Sequence, residues 1–190
     1  GAAAADFDND GWPDLFVATG SVYPEVSARL EQYPFKTPRL VFRNLGNGKF
    51  EELIEEAGPG IAAAHSSRGA AFGDFDNDGD IDILVWNMNE PPSLLRNEMK
   101  SKANNWLQLK LEGTKSNRSA IGARVTVRYG ERVQTQEVAA QASYYSSNDK
   151  RLHFGLGTAP SAEVTIRWPS GAVEKLTAVK PNQRLSQKEK

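Results

Sequence analysis

Apolar and polar residues alternate with a period of two along most of the 190-residue chain. That spacing sets one face of a β-strand in a core and the other in water. In the first half it predicts short strands at 15–19, 40–44, 49–54, 70–74, 81–87 and 93–97. Asn47 and Gly48, in "NLGNGKF", supply the left-handed residues of a tight hairpin between the second and third. The run "ILVW", 83–86, is apolar throughout and reads as a strand covered on both faces. The second half alternates more cleanly, in "WLQLKLEG", "ARVTVRYG", "VQTQEVAA", "RLHFGLG" and "EVTIRWPSG". Only "VSARLEQY" and "EELIEEAG" carry weak helical periodicity. The pattern predicts an all-β protein.

Two stretches break the alternation in the same way. "DFDNDGWPD", 6–14, and "DFDNDGDID", 74–82, lie 68 residues apart and share aspartates at positions 1, 3, 5 and 9. The second adds Asp80, so five carboxylates crowd nine residues with no lysine or arginine among them. Such a loop either is solvated or holds a cation. Ca²⁺ takes about 6–8 oxygen ligands, which alternate carboxylates on a tight loop can supply. The expected first site is Asp6, Asp8, Asp10, Asp14 and the carbonyl of Trp12. The second is Asp74, Asp76, Asp78, Asp82 and the carbonyl of Asp80. Gly11 and Gly79 permit the sharp turn. Because position 7 acts through its backbone, Trp12 can stand where Asp80 stands. An EF-hand is excluded, since Val17 or Val85 occupies position 12, where that motif needs glutamate, and the flanking helices are missing. Mg²⁺ suits the crowded shell less, because it keeps several waters.

Each aspartate loop is followed by a strand, a connector and a closing "RN", in "LVFRN" (40–44) or "SLLRN" (93–97). Asp6 to Arg43 spans 37 residues and Asp74 to Arg96 only 22, so the first connector is 15 residues longer. That insert carries Tyr23, Tyr33, Phe35 and three prolines. Its aromatics either tack the loop to the body or offer stacking faces to a ligand.

Charge divides the chain. The net charge of −1 hides −10 over residues 1–99 and +9 over residues 100–190. The shift predicts two domains joined near "RNEMKSKANN", 96–105. The bases are scattered rather than striped, which favours a face turned to the acidic half, or to solvent, over specific nucleic-acid binding. No apolar run reaches the ~20 residues of a membrane span. There is no cysteine, which excludes disulfides and thiolate chemistry. The start "GAAAA" reads as an imposed end rather than a natural terminus.

The D-x-D-x-D-G-x-x-D loops, each followed by a strand and "RN", resemble FG-GAP/VCBS repeats, the blades of integrin-like β-propellers. "NNWLQLKLEGTKSNRSAIGARVTVRYG", "RLHFGLG" and "VTIRWPSGAVEKL" are similar to the ASPIC/UnbV domain found after such blades in cartilage-acidic-protein-like proteins. The resemblance runs from Asp6 to about Gln183. It implies two partial propeller blades over 1–99, each with a calcium loop, followed over 100–190 by a β-sandwich-like ASPIC/UnbV domain. It also implies calcium-dependent adhesion or recognition outside the cytoplasm, extracellular or periplasmic, with an unknown protein or glycan partner. Closed propellers typically need about 4–8 blades. Two blades, the second lacking an obvious fourth strand, are expected to leave apolar end faces that favour homo-oligomers or docking of the basic domain.

Alternation over 104–183 predicts a sandwich with core candidates Trp106, Leu107, Leu109, Val125, Val127, Leu152, Phe154, Leu156, Val164, Ile166 and Trp168. His153 alternates away from Leu152 and Phe154 and is expected at the surface. The other histidine, His65, lies in the other half, and neither G-x-S-x-G nor H-E-x-x-H occurs. The expected protein is a binding module and not an enzyme. The alternative is a carbohydrate-binding or carbohydrate-active protein that uses the loop from Tyr23 to Phe35.

Overall fold

In the computed structural model, which describes residues 1–99 and 103–190, four consecutive alanines form the first strand, β1 (Ala2–Ala5). It pairs antiparallel with β2 (Asp14–Val17), which continues through β3 (Leu40–Asn44) to β4 (Phe50–Leu53) in a four-stranded meander. Alanine has little strand preference and shows no alternation, so the pattern missed β1. A second meander has three strands, β5 (Ser67–Gly73), β6 (Asp82–Asn87) and β7 (Ser93–Leu95). Among the described residues it has no fourth strand, as the sequence suggested. One-turn helices α1 (Val26–Arg29) and α2 (Pro59–Ala62) sit in the connectors. The helical reading of 51–58 fails: β4 takes its first residues, and α2 begins only at Pro59.

The two meanders share one core. Phe16, Val41 and Leu53 of the first face Ala70, Phe72, Ile83 and Val85 of the second. The Phe16 and Phe72 rings meet edge to face at 5.6 Å, a favoured aromatic geometry. The opposite face of the second meander is bare: Leu84, Trp86 and Leu94 are about half exposed or more. The run 83–86 is therefore covered on one side only, because among the described residues nothing packs on the outer face of β6. Leu15 is exposed on the matching face of the first meander.

Residues 105–188 form a sandwich of two sheets. One has the order β10 (Arg132–Glu137), β9 (Arg124–Tyr129), β12 (Ala162–Arg167), β13 (Val173–Val179). The other is β11 (Leu152–Gly157), β8 (Asn105–Glu112), β14 (Gln183–Lys188), with β14 parallel to β8. Every core candidate except Trp106 is buried between these sheets. Trp106 lies outside, because its ring stacks on His153 at 6.2 Å. Glu189 fastens the last strand: its carboxylate accepts the backbone N–H groups of Thr114, Lys115 and Ser116 and the hydroxyls of Ser116 and Ser170. Residues 100–102 of the expected joint lie outside the described residues.

Candidate metal centre

Each aspartate loop links the first two strands of its meander, so it must reverse the chain between Ala5 and Asp14, or between Gly73 and Asp82, which pair across the ladder. The reversal is made twice in the same way. Asn9 and Asn77 hold φ of 59° and 64°, and Gly11 and Gly79 hold 88° and 99°. Asparagine tolerates this left-handed region and glycine enters it freely. The first carboxylate closes the turn by accepting the glycine N–H, Gly11 to Asp6 at 2.8 Å and Gly79 to Asp74 at 3.0 Å. The last carboxylate ties the loop down by accepting two backbone N–H groups. Phe7 and Asn44 donate to Asp14 at 3.0 and 2.8 Å. Phe75 and Asn97 donate to Asp82 at 3.1 and 2.8 Å.

The "RN" pairs now have a physical role. Their asparagines supply the second of those N–H groups, while their arginines approach the loop's second aspartate. Arg43 lies 4.0 Å from Asp8 and Arg96 lies 2.8 Å from Asp76.

One oxygen from each of Asp6, Asp8 and Asp14 lies within 4.8 Å of the others, and the same holds for Asp74, Asp76 and Asp78. Asp10 and Asp82 are not in these groups of three carboxylates. Asp10 accepts the Trp12 N–H at 2.7 Å, and Asp82, like Asp14, accepts one backbone N–H on each oxygen. The Trp12 side chain packs on Gly46 beneath Arg132, whose guanidinium lies 4.1 Å from the ring centre. The Asp80 carboxylate crosses to the other loop, where Asn9 donates to it at 2.9 Å.

Burial and mutual repulsion raise Asp6, Asp10, Asp14, Asp80 and Asp82 above the usual carboxylate range. Burial, helped by the charges of Asp10, Asp8 and Asp14, pushes Asp6 up to about 8 despite the Gly11 N–H. Burial raises Asp14 and Asp80 to about 6. Asp6 is only 6% exposed, and its Oδ1 has no hydrogen-bond partner among the described residues. A buried carboxylate oxygen left unpaired is costly. A hard cation held by Asp6, Asp8 and Asp14 would satisfy it, and an all-oxygen set suits such an ion.

The sandwich covers the backs of both loops. Arg132 donates to the carbonyls of Asp10 and Gly11, and Arg151 to the carbonyl of Asp74 and to Asn77 Oδ1. Gly155 packs so closely that a Cβ there would overlap Asp6 Oδ2. The surface expectation for His153 is overturned: it is buried, its Nε2 is 2.6 Å from Asn9 Oδ1, and its Nδ1 is 3.2 Å from Gln108 Nε2. The outward face of β11 is wet only in an isolated sandwich, and here a loop closes over it. Asn9, Gln108 and Gly155 escaped the sequence reading. The hexapeptide "DFDNDG", identical in both loops, was the available signal for Asn9.

Residues 6–85 match the family described as FG-GAP-like repeat, from the first carboxylate of the first loop through the second loop into β6. Residues 113–190 match the family described as ASPIC and UnbV. Cartilage acidic protein 1 of Mus musculus is 30% identical over 176 residues, 88% of this chain and 25% of the relative. The chain is homologous to cartilage acidic protein 1. The Xenopus tropicalis protein of that name is 29% identical over 178 residues, 90% of this chain and 25% of the relative. The Homo sapiens protein is 30% identical over 175 residues, 88% and 24%. The chain thus spans about a quarter of the length of the curated relatives it matches. FG-GAP-like repeats are of β-propeller type, which accords with the two meanders.

Proposed function

We propose that this chain is a non-enzymatic, calcium-binding recognition module of a larger exported protein, working in an extracellular or periplasmic setting. Residues 1–99 supply two propeller-type repeats and residues 100–190 the ASPIC/UnbV unit. Asp6, Asp8 and Asp14 would hold one Ca²⁺, and Asp74, Asp76 and Asp78 a second. The ions neutralise the carboxylates and pin the strand ends that each loop joins. The observation that carries this reading is the buried, unpartnered Asp6 Oδ1 within a duplicated all-oxygen loop. Calorimetry on chelator-treated protein should show two Ca²⁺ per chain, and Asp76→Ala should lose one. No heat of Ca²⁺ binding would sink the reading.

A second reading has its own observation. Of the insert's aromatics Phe35 is half-buried, whereas Tyr23 and Tyr33 are 69% and 62% exposed, leaving ring faces open to stack on sugars. A glycan array with and without EDTA, followed by hydrolysis assays on any hits, separates recognition from turnover.

A further inference from the structure

The two loops touch each other through side chains that ligate nothing. Asn9 sits between Asp8 and Asp10 in the first loop, and it is 4% exposed. Its Nδ2 donates both protons to the second loop, to the Gly79 carbonyl at 3.2 Å and to Asp80 Oδ1 at 2.9 Å. Its Oδ1 must then accept, so His153 Nε2 carries the proton of the 2.6 Å bond between them. The neutral ring's Nδ1 is left as an acceptor and takes a proton from Gln108 Nε2 at 3.2 Å. The other Gln108 amide proton goes to Asp74 Oδ2 at 2.8 Å. That amide cannot turn over, because its oxygen would then meet a carboxylate.

Gln108 donates in both directions, and from His153 onward each donor points the same way along an unbroken path. It runs from Asp74, the first carboxylate of loop two, through Gln108 and His153 of the sandwich to Asn9 of loop one. It returns to Asp80 and Gly79 of loop two. Buried side-chain networks of this kind move as units, because a displaced member strands its neighbours' donors and acceptors.

We propose that Gln108, His153 and Asn9 are positioning residues that couple the two loops, so that an ion in either loop sets the carboxylate geometry of the other. The proposal rests on the calcium reading above. An ion that fixes Asp8 and Asp14 fixes the backbone carrying Asn9 between them, and with it the carbonyl of Gly79 and the carboxylate of Asp80. In the other direction, an ion on Asp74 holds Gln108 and through it the imidazole. Coupling of this kind is reciprocal by linkage.

The test uses the full chain and Ca²⁺ calorimetry. Asp8→Ala disables loop one, and the affinity remaining belongs to loop two. With the path intact, Asp8→Ala should weaken loop two by about fivefold or more, within the usual range for coupled sites. Asn9→Gly removes the amide yet keeps a residue at home at φ 59°. In that background the effect of Asp8→Ala on loop two should fall below about twofold. Gln108→Met cuts the same path at its other end and serves if Asn9→Gly folds poorly. Two ions that bind with loop two indifferent to Asp8→Ala would overturn the coupling. So would an equal weakening in the wild-type, Asn9→Gly and Gln108→Met backgrounds. No Ca²⁺ heat in the wild type would instead remove the calcium reading and the coupling with it.

Discussion

Acidification should undo the joint between the halves at one identifiable residue. Burial, with the nearby Arg151 charge, lowers His153 from the usual 6.5 to about 4. The folded protein keeps the ring neutral to about pH 4, whereas the unfolded chain protonates it near pH 6.5. Between these values the unfolded state binds the extra proton, so stability is full above pH 6.5 and falls as pH drops toward 4. Each pH unit inside that window is worth about 1.36 kcal/mol. From pH 8 to pH 4.5 the wild type should lose about 2.5 kcal/mol through this ring.

Asp6, Asp14 and Asp80 titrate with the opposite sign, because their folded values are raised. The assay must therefore be a difference. Urea melts followed by tryptophan fluorescence, on wild type and His153→Gln at each pH in EDTA, remove the carboxylate contributions common to both proteins. At pH 8 the variant should be less stable by about 1–3 kcal/mol, the cost of stranding buried partners. By pH 4.5 the gap should have closed by about 2.5 kcal/mol. A gap that stays constant across that range would refute both the buried neutral ring and its place in the path.

Two further outcomes follow from the same contacts. Gly155→Ala sets a Cβ against Asp6 and the Asn9 backbone, so thermal melts should show a loss of about 1–3 kcal/mol and calorimetry a weaker first Ca²⁺ site. Glu189 is held down at about 2, burial being outweighed by hydrogen bonds from Ser170, Ser116 and Thr114. It contributes stability above its ordinary 4.5 that is lost as pH falls toward 2, and Glu189→Gln should flatten that acid limb while amide exchange quickens along β14.

The fold was legible wherever one strand face is buried and the other wet. Strands β9 and β12 follow that rule, and the aspartate loops, which break it, were legible because their chemistry is repeated in the letters themselves. β1 was illegible, because four alanines carry no alternation. β13 and β14 were passed over as well, although β14 alternates half-buried with exposed residues just as β10 does, and it is anchored by Glu189. His153 was misread for a different reason. Alternation correctly assigned it to the outer face of β11, but the sequence holds no sign that a loop 144 residues away covers that face. Contacts between the halves are set by tertiary docking, which local periodicity does not encode.

The charge split of the two halves suggests a direct acid–base seam, yet the joint is not built that way. Among the described residues no base of the sandwich forms a salt bridge with a loop aspartate. Arg132 and Arg151 donate to backbone carbonyls and to Asn77 instead. Neutral side chains make further contacts across the seam, in Asn9, Asn104, Gln108, Ser143, Asn148 and His153. An arginine seated on Asp6 or Asp74 would neutralise the first carboxylate of its loop and compete with any cation there. Docking through carbonyls keeps the sandwich positive and close, which favours the acidic half at long range. It also leaves the convergent carboxylate oxygens to whatever ion the loops take. The joint and the proposed ion sites can then share one small space without either cancelling the other.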